Sequence, residues 1–233
     1  MRAKRARMQK TTASPGLKGR GNAAVKKARV RKTAGLLFGQ YALFVLIILA
    51  VCMSADVHIA LLRVFNAAER TGFSPDEIDR AARAMVSVIK GADRQMLSQW
   101  FTADEVLHMK DVQELFSLGL KAFIVLMLAF ILCMAGGKRP VRAEYRRAFW
   151  LSLLLPAAVA LPFIVDFNGM WIFLHRVAFP QNELWLMDPR VHKMVVMYSG
   201  QFFIAVVALI GVLCALSMLP LAIGAVRAKD NGD

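Results

Sequence analysis

An all-α integral membrane protein with four transmembrane helices is the fold class this sequence predicts, and three observations predict it. The chain is 58% hydrophobic with mean hydropathy +0.49, more apolar surface than a soluble protein of 233 residues can hide. That excess is concentrated in four apolar runs near residues 34–55, 115–135, 148–166 and 195–220. Each is close to the roughly 20 residues that cross ~30 Å of hydrocarbon. The net charge of +14 is also unevenly placed, lying mainly ahead of the first run and between the second and third.

The charge placement sets the expected orientation. Residues 1–33 carry many cations, from Arg2 to Lys32, and no acid, and the loop after the second run holds Lys138, Arg139, Arg142, Arg146 and Arg147 against Glu144. Four spans put both termini and this loop on one side, which the positive-inside rule assigns to the cytoplasm. The segments 56–114 and 168–194 then lie outside, as a small helical extracytoplasmic cap on the four-helix domain of residues 34–226. Residues 227–233 form a short cytoplasmic tail.

Taken in order, residues 1–33 mix Lys and Arg with Gly, Ala, Ser and Pro15 and show no apolar period. This predicts a disordered basic tail that orients the first helix and rests against anionic membrane lipid, with no nucleic-acid partner. The first span resembles a signal peptide in having a basic flank. Its apolar core is longer than usual, however, and Met53-Ser54-Ala55 is a poor cleavage site, so an uncleaved helix is expected. Farther on, Ser74-Pro75-Asp76-Glu77 starts a helix whose apolar residues Ile78, Ala81, Ala82, Met85, Val86 and Ile89 share one face until Gly91 closes it. That face needs an apolar cover, either the bilayer, a neighbouring helix or the mouth of a site.

The stretch from Thr102 to Val112 organises the chain. Thr102 and Glu105 have capping-box spacing, so a helix starts here and runs unbroken into the second span. On it Glu105, His108 and Asp111 stand at i, i+3 and i+6, which places an imidazole between two carboxylates about two turns above the lipid. The third span contains Pro156 and Pro162, which weaken its ladder, and ends at Asp166. The outer segment that follows carries Trp171, His175, Phe179, Trp185, Asp188 and His192, and with Trp100 its tryptophans fit an aromatic belt.

The sequence has no phosphate-binding glycine loop, serine-elbow motif or His-Glu-x-x-His zinc motif. Cys52, Cys133 and Cys214 lie in separate membrane helices and act as small apolar residues. His58 and His192 flank membrane helices as ordinary interfacial residues. His108 and His175 differ from them: the first has acidic neighbours, and the second sits among aromatic residues where a lone imidazole needs a partner.

These residues carry a resemblance. Glu105-x-x-His108-Met109-x-Asp111-Val112 ahead of a membrane helix, then Phe173-Leu174-His175, Phe179, Trp185, Asp188-Pro189 and Phe202-Phe203, resemble the bacterial four-helix membrane family of the lipoprotein intramolecular transacylase. Helix order and spacing agree across much of the chain. Ser199 and Gly200 stand where the family pattern has a Pro and an acidic residue before the paired aromatics.

The resemblance implies a multi-pass acyltransferase of the bacterial cell membrane. It would move the sn-2 acyl chain of a lipoprotein's S-diacylglyceryl cysteine to that cysteine's own α-amino group, without cofactor or metal. The implied catalytic residues are His108 and His175, with His108 expected as the base, oriented by Glu105 or Asp111, and His175 as acid or oxyanion donor; the reverse assignment stays open. Glu105, Asp111 and Asp188 would orient or support them, and the lipidated N-terminus of a lipoprotein would enter from the outer leaflet. Aminolysis of an ester needs a free amine, oxyanion stabilisation and a proton for the leaving alcohol, all of which two imidazoles can supply. Two other readings remain open: a metal-dependent hydrolase or metal-binding module using His108, His175, Glu105, Asp111, Asp188 and His192, and a non-enzymatic membrane scaffold.

Overall fold

The computed structural model describes residues 15–135 and 139–229, with side chains from residue 23 onward, and within that range the protein is helical and without strands. The long helices α1 (Pro15–Cys52), α5 (Ala103–Met134) and α6 (Arg142–Val165) are joined by the pair α9 (Gly200–Ser217) and α10 (Leu219–Arg227). Four stretches are long and apolar enough to cross a membrane: Ala23–Cys52 of α1, all of α5, all of α6, and Gly200–Arg227. The chain is a multi-pass membrane protein.

Helix α1 is the axis of the bundle, with α5, α6 and α9 all packed on it and α10 packed on α6. Glycine allows the tightest of these contacts. A Cβ at Gly35 would lie 2.9 Å from the Cys133 Cβ, and one at Gly39 would lie 2.9 Å from the Phe130 ring. Larger residues at either site would push α1 and α5 apart.

The basic tail departs from expectation. Residues 15–33, expected to be disordered, are the first half of α1, while residues 1–14 lie outside the described residues, as do the end of α5's following loop at 136–138 and the C-terminal residues 230–233. Ala, Lys and Arg are good helix formers, and extending an existing membrane helix adds one hydrogen bond per residue without a new nucleation step. Lys32 also donates to the Met134 carbonyl (3.1 Å), tying the tail to the C-terminal end of α5.

Two spans differ from their expected bounds. The third begins at Arg142 rather than near 148, because Glu144 reaches back to accept the Val141 N–H (3.0 Å) and starts the helix among the arginines. The last apolar run is not one helix. It breaks after the short α8 (Lys193–Met197) and again at Met218, where Pro220 in the first turn of α10 removes a backbone donor from any continuous ladder.

The segment between α1 and α5 folds over one end of the bundle as α2 (Ala55–Val64), α3 (Ala67–Thr71), α4 (Pro75–Ile89) and a 3-10 turn, Arg94–Leu97. The capping boxes Ser74/Glu77 and Thr102/Glu105 both form. The apolar face of α4 is covered by protein rather than lipid: Ile78, Ala81, Ala82, Met85, Val88 and Ile89 are buried with Leu62, Val106, Met109, Met197 and Phe202. The outer segment after α6 opens with a helix, since Asp166 accepts the Gly169 N–H (2.9 Å) and caps α7 (Phe167–Ala178).

Candidate active site

Where the folded-over end meets the bundle, a cavity of about 540 Å³ opens, within the size range of small-ligand pockets. Its lining is mainly apolar and comes from α2, α4, α5, α7, α8 and α9, including Met85, Ile89, Met109, Leu115, Phe116, Trp171, Phe203 and Val206. Three of the chain's four histidines, His58, His108 and His175, are in its wall.

His108 enters from α5 and is only 7% exposed. His175 enters from α7, whose face toward the cavity is the every-fourth-residue series Trp171, His175 and Phe179. Their rings face each other at a 28° interplanar angle with centroids 6.5 Å apart, too far for ring-on-ring contact and close enough for a small group to touch both. Phe179 meets His108 edge-on at 5.1 Å, while Trp171 and Trp185 lie 4.4 and 5.4 Å from His175. Of the three tryptophans that the sequence assigned to a membrane belt, Trp171 and Trp185 thus stand in the wall around an imidazole, and Trp100 does not.

The two rings are held differently. His175 Nδ1 lies 2.8 Å from the Trp171 carbonyl oxygen, a group that can only accept, so Nδ1 carries the proton and Nε2 keeps its lone pair. His108 Nδ1 is sealed from solvent without a hydrogen-bond partner. Burial lowers the His108 pKa to about 4, helped by the nearby His175 and opposed by the Asp111 charge. Burial lowers His175 as well, with the Trp171 hydrogen bond opposing it. At neutral pH both imidazoles are uncharged.

The three expected supporting carboxylates go to three different places. Asp111 stays in electrostatic reach of His108 and accepts a hydrogen bond from Asn182 Nδ2 (2.9 Å), holding the loop after α7 against α5. Glu105 is 0% exposed, and its oxygens accept the N–H groups of Thr102 (2.7 Å) and Met194 (2.6 Å). It clasps α8 to the start of α5 and makes no hydrogen bond to His108, which corrects its expected role as an orienting carboxylate. Asp188 is bound by Arg190 (2.6 Å) on an exposed turn and does not line the cavity, so it is not part of the site.

The same placements bear on metal binding. His192 Nδ1 accepts the Asp188 N–H (3.0 Å), and among the described residues no three His, Cys, Asp or Glu side chains are grouped to hold a metal ion. The ligand set considered from the sequence is therefore dispersed by the fold, with Glu105 and Asp188 committed to other partners.

Sequence reasoning missed two cavity residues. His58, 6% exposed, packs edge-on against Tyr198 and Phe202 with ring centroids 5.7 and 5.3 Å away. Burial lowers its pKa to about 4, partly offset by the Cys52 backbone at the end of α1, which lies outside hydrogen-bond geometry. The signal was the i, i+4 pairing of His58 with Leu62, which puts the imidazole on the buried face of α2. Tyr198, 6% exposed, has a hydroxyl without a hydrogen-bond partner, and burial raises its pKa.

Comparison with known proteins gives the family and the fold. The model of the family "Lipoprotein intramolecular transacylase Lit" matches residues 34–203, well over half of the chain. The solved structure of the membrane-integral lipoprotein intramolecular transacylase Lit from Bacillus cereus is similar with TM-score 0.70 at 14% identity, covering 86% of this chain and 94% of that one. A variant of the same Bacillus cereus protein with a histidine-to-arginine substitution is similar with TM-score 0.69 at 16% identity, over 89% and 92% of the two chains. No curated protein sequence matches. The chain belongs to the lipoprotein intramolecular transacylase family.

Proposed function

From that membership, we propose that this transacylase moves the sn-2 acyl chain of a lipoprotein's S-diacylglyceryl cysteine to the α-amine of the same cysteine, with His108 and His175 as catalytic residues. The observation that carries the reading is the pair itself. Two neutral imidazoles from different helices face each other at 6.5 Å across an apolar cavity.

The chemistry divides between them by what holds each ring. The α-amine attacks the ester carbonyl carbon and a C–N bond forms. The His175 Nε2 lone pair, kept free because Nδ1 donates to Trp171, takes the amine proton. His108 presents an N–H from the cavity side and stabilises the oxyanion. The C–O bond to the glyceryl group then breaks, and the proton on His175 passes to the glyceryl oxygen. The product is an isomer of the substrate, with an amide in place of one ester and a free hydroxyl, and no water is consumed. Donor and acceptor belong to one molecule, so holding them together supplies much of the rate enhancement.

The placement of charge supports an active site facing away from the cytoplasm of the bacterial cell membrane. Lys32 of α1 meets the C-terminal end of α5, and the Arg142 N–H donates to the Lys229 carbonyl (3.3 Å), so the basic segments gather at one end and the histidines lie at the other. The bare outer face of α7, with Phe173 and Val177 exposed, suits contact with lipid and entry of the lipidated N-terminus from the outer leaflet.

The test is mass spectrometry of N-terminal lipopeptides from cells that lack other N-acylating enzymes. Expression of the chain is expected to convert the diacylglyceryl lipopeptide into an isomer of equal mass with an N-acyl group and an S-monoacylglyceryl group. His108→Ala is expected to abolish the conversion. A lipopeptide that keeps its free amine while the folded protein sits in the membrane would overturn the proposal.

A further inference from the structure

His58 is the one histidine in the cavity that acyl transfer by His108 and His175 leaves without a task. It enters from α2, and ring contacts relate it to His175 only at a remove: His58 to Tyr198, Tyr198 to Phe203 (6.5 Å), Phe203 to Trp171 (4.3 Å), and Trp171 to His175. It is thus a second polar point in an apolar wall, apart from the reacting pair.

The fold gains nothing evident from its nitrogens. Nδ1 is sealed and makes no hydrogen bond, and Nε2, which is not sealed, makes none within the protein. Burying an imidazole without hydrogen bonds costs free energy that a phenyl ring of similar size in the same edge-on contacts with Tyr198 and Phe202 would not incur. Its tautomer is also uncommitted, whereas that of His175 is fixed by Trp171. A ligand can therefore choose which nitrogen carries the proton at little cost.

We propose that His58 Nε2–H binds the carbonyl of the ester that does not react, so that the other ester of the diacylglyceryl group is set between His108 and His175. The inference rests on the function proposed above. A diacylglyceryl thioether carries two ester carbonyls on adjacent carbons, and an apolar cavity would otherwise hold either ester near the reacting pair with equal ease. One donor apart from the reacting pair removes that ambiguity. His58 is a positioning residue here, since it touches substrate without moving a proton.

The experiment compares purified wild-type and His58→Phe protein on two synthetic S-glyceryl cysteinyl peptides. One is the diester, and the other has the non-reacting ester replaced by an ether. Wild type is expected to turn over the diester with a kcat/KM about tenfold above that of the ether analogue, the worth of one hydrogen bond. His58→Phe is expected to keep its melting temperature, lose about that factor on the diester, and match wild type on the ether. His58→Gln, whose amide N–H can stand near the place of Nε2–H, is expected to restore most of the preference for the diester. His58→Leu replaces the Phe variant if that variant does not fold. Equal kcat/KM for His58→Phe and wild type on the diester overturns the inference, as does an equal loss on both substrates. If wild type converts neither peptide, the proposed function fails and the inference fails with it; turnover by wild type with no effect of His58 removes the inference alone.

Discussion

His175 Nδ1 and the Trp171 carbonyl oxygen lie 2.8 Å apart, one helical turn from each other on α7. This contact gives the two facing imidazoles different work. A carbonyl can only accept, so the His175 Nε2 on the cavity side keeps a lone pair, while His108 has no such constraint on its Nδ1. The sequence pointed to His108 as the base with the reverse left open, and this contact favours the reverse, with His175 as the base.

Replacing either imidazole should remove acyl transfer without unfolding the protein. His175→Ala and His108→Ala are each expected to lower the rate by about 10²-fold or more, the usual worth of a positioned general base or acid. The check is single-turnover conversion of the diester peptide beside a thermal melt in detergent. A melt unchanged from wild type with activity within about threefold would reject the assignment for that residue.

The two facing imidazoles should titrate below the ordinary histidine range. His108 is lowered to about 4, and His175 is lowered from 6.5. The neutral forms therefore persist below pH 6.5, and NMR signals of both rings are expected to stay those of neutral imidazole as pH falls through the ordinary histidine range. Stability follows the same sign. Between pH 6.5 and about 4 the unfolded chain binds a proton that folded His108 refuses, so stability falls with pH across that window and is fully present above 6.5. A ring whose NMR signals titrate near 6.5 would contradict the buried, neutral pair.

Glu105 should matter to stability before it matters to chemistry. Glu105→Ala leaves the Thr102 and Met194 N–H groups unpaired in a buried place, at a cost of about 3 kcal/mol. Glu105→Gln, which keeps one acceptor, is expected to lose less. Thermal unfolding in detergent measures both, and a Glu105→Ala melt equal to wild type would show that the clasp on α8 is dispensable.

Asp111→Asn separates charge from packing. The amide oxygen can still accept from Asn182, while the charge that favours protonated His108 is gone. The His108 pKa, followed by NMR titration, is expected to fall further below its wild-type value. A rise on removing the negative charge would mean that Asp111 does not act on His108.

Asp188→Ala is the control. Its carboxylate is taken by Arg190 on an exposed turn outside the cavity, so turnover is expected to change by less than about twofold. A larger loss would restore Asp188 to the site.

Much of this fold was legible along the chain because the lipid selects for it. An apolar run of about 20 residues has few alternatives to a spanning helix, which is why four helices long enough to span overlap the four apolar runs. Caps were legible for the same local reason: Ser74 and Thr102 each close with an acid three residues on. Segments whose structure depends on contacts were less so. Residues 15–33 look structureless by composition and are helical as a continuation of α1, and the last span breaks at Met218 because of the single Pro220.

The sequence by itself determined the class of protein and the capped starts of α4 and α5, through spacing, patterning and a family resemblance. Only the tertiary structure decided which groups meet. It drew Glu105 away from His108 to cap α8, gave Asp188 to Arg190, and brought His58 from α2 into the wall of the same cavity. The reason is physical. Spanning and capping are settled by residues within a few positions of one another, whereas the partner of a buried polar group is fixed by packing between helices far apart in the chain, and one turn of a helix suffices to change it.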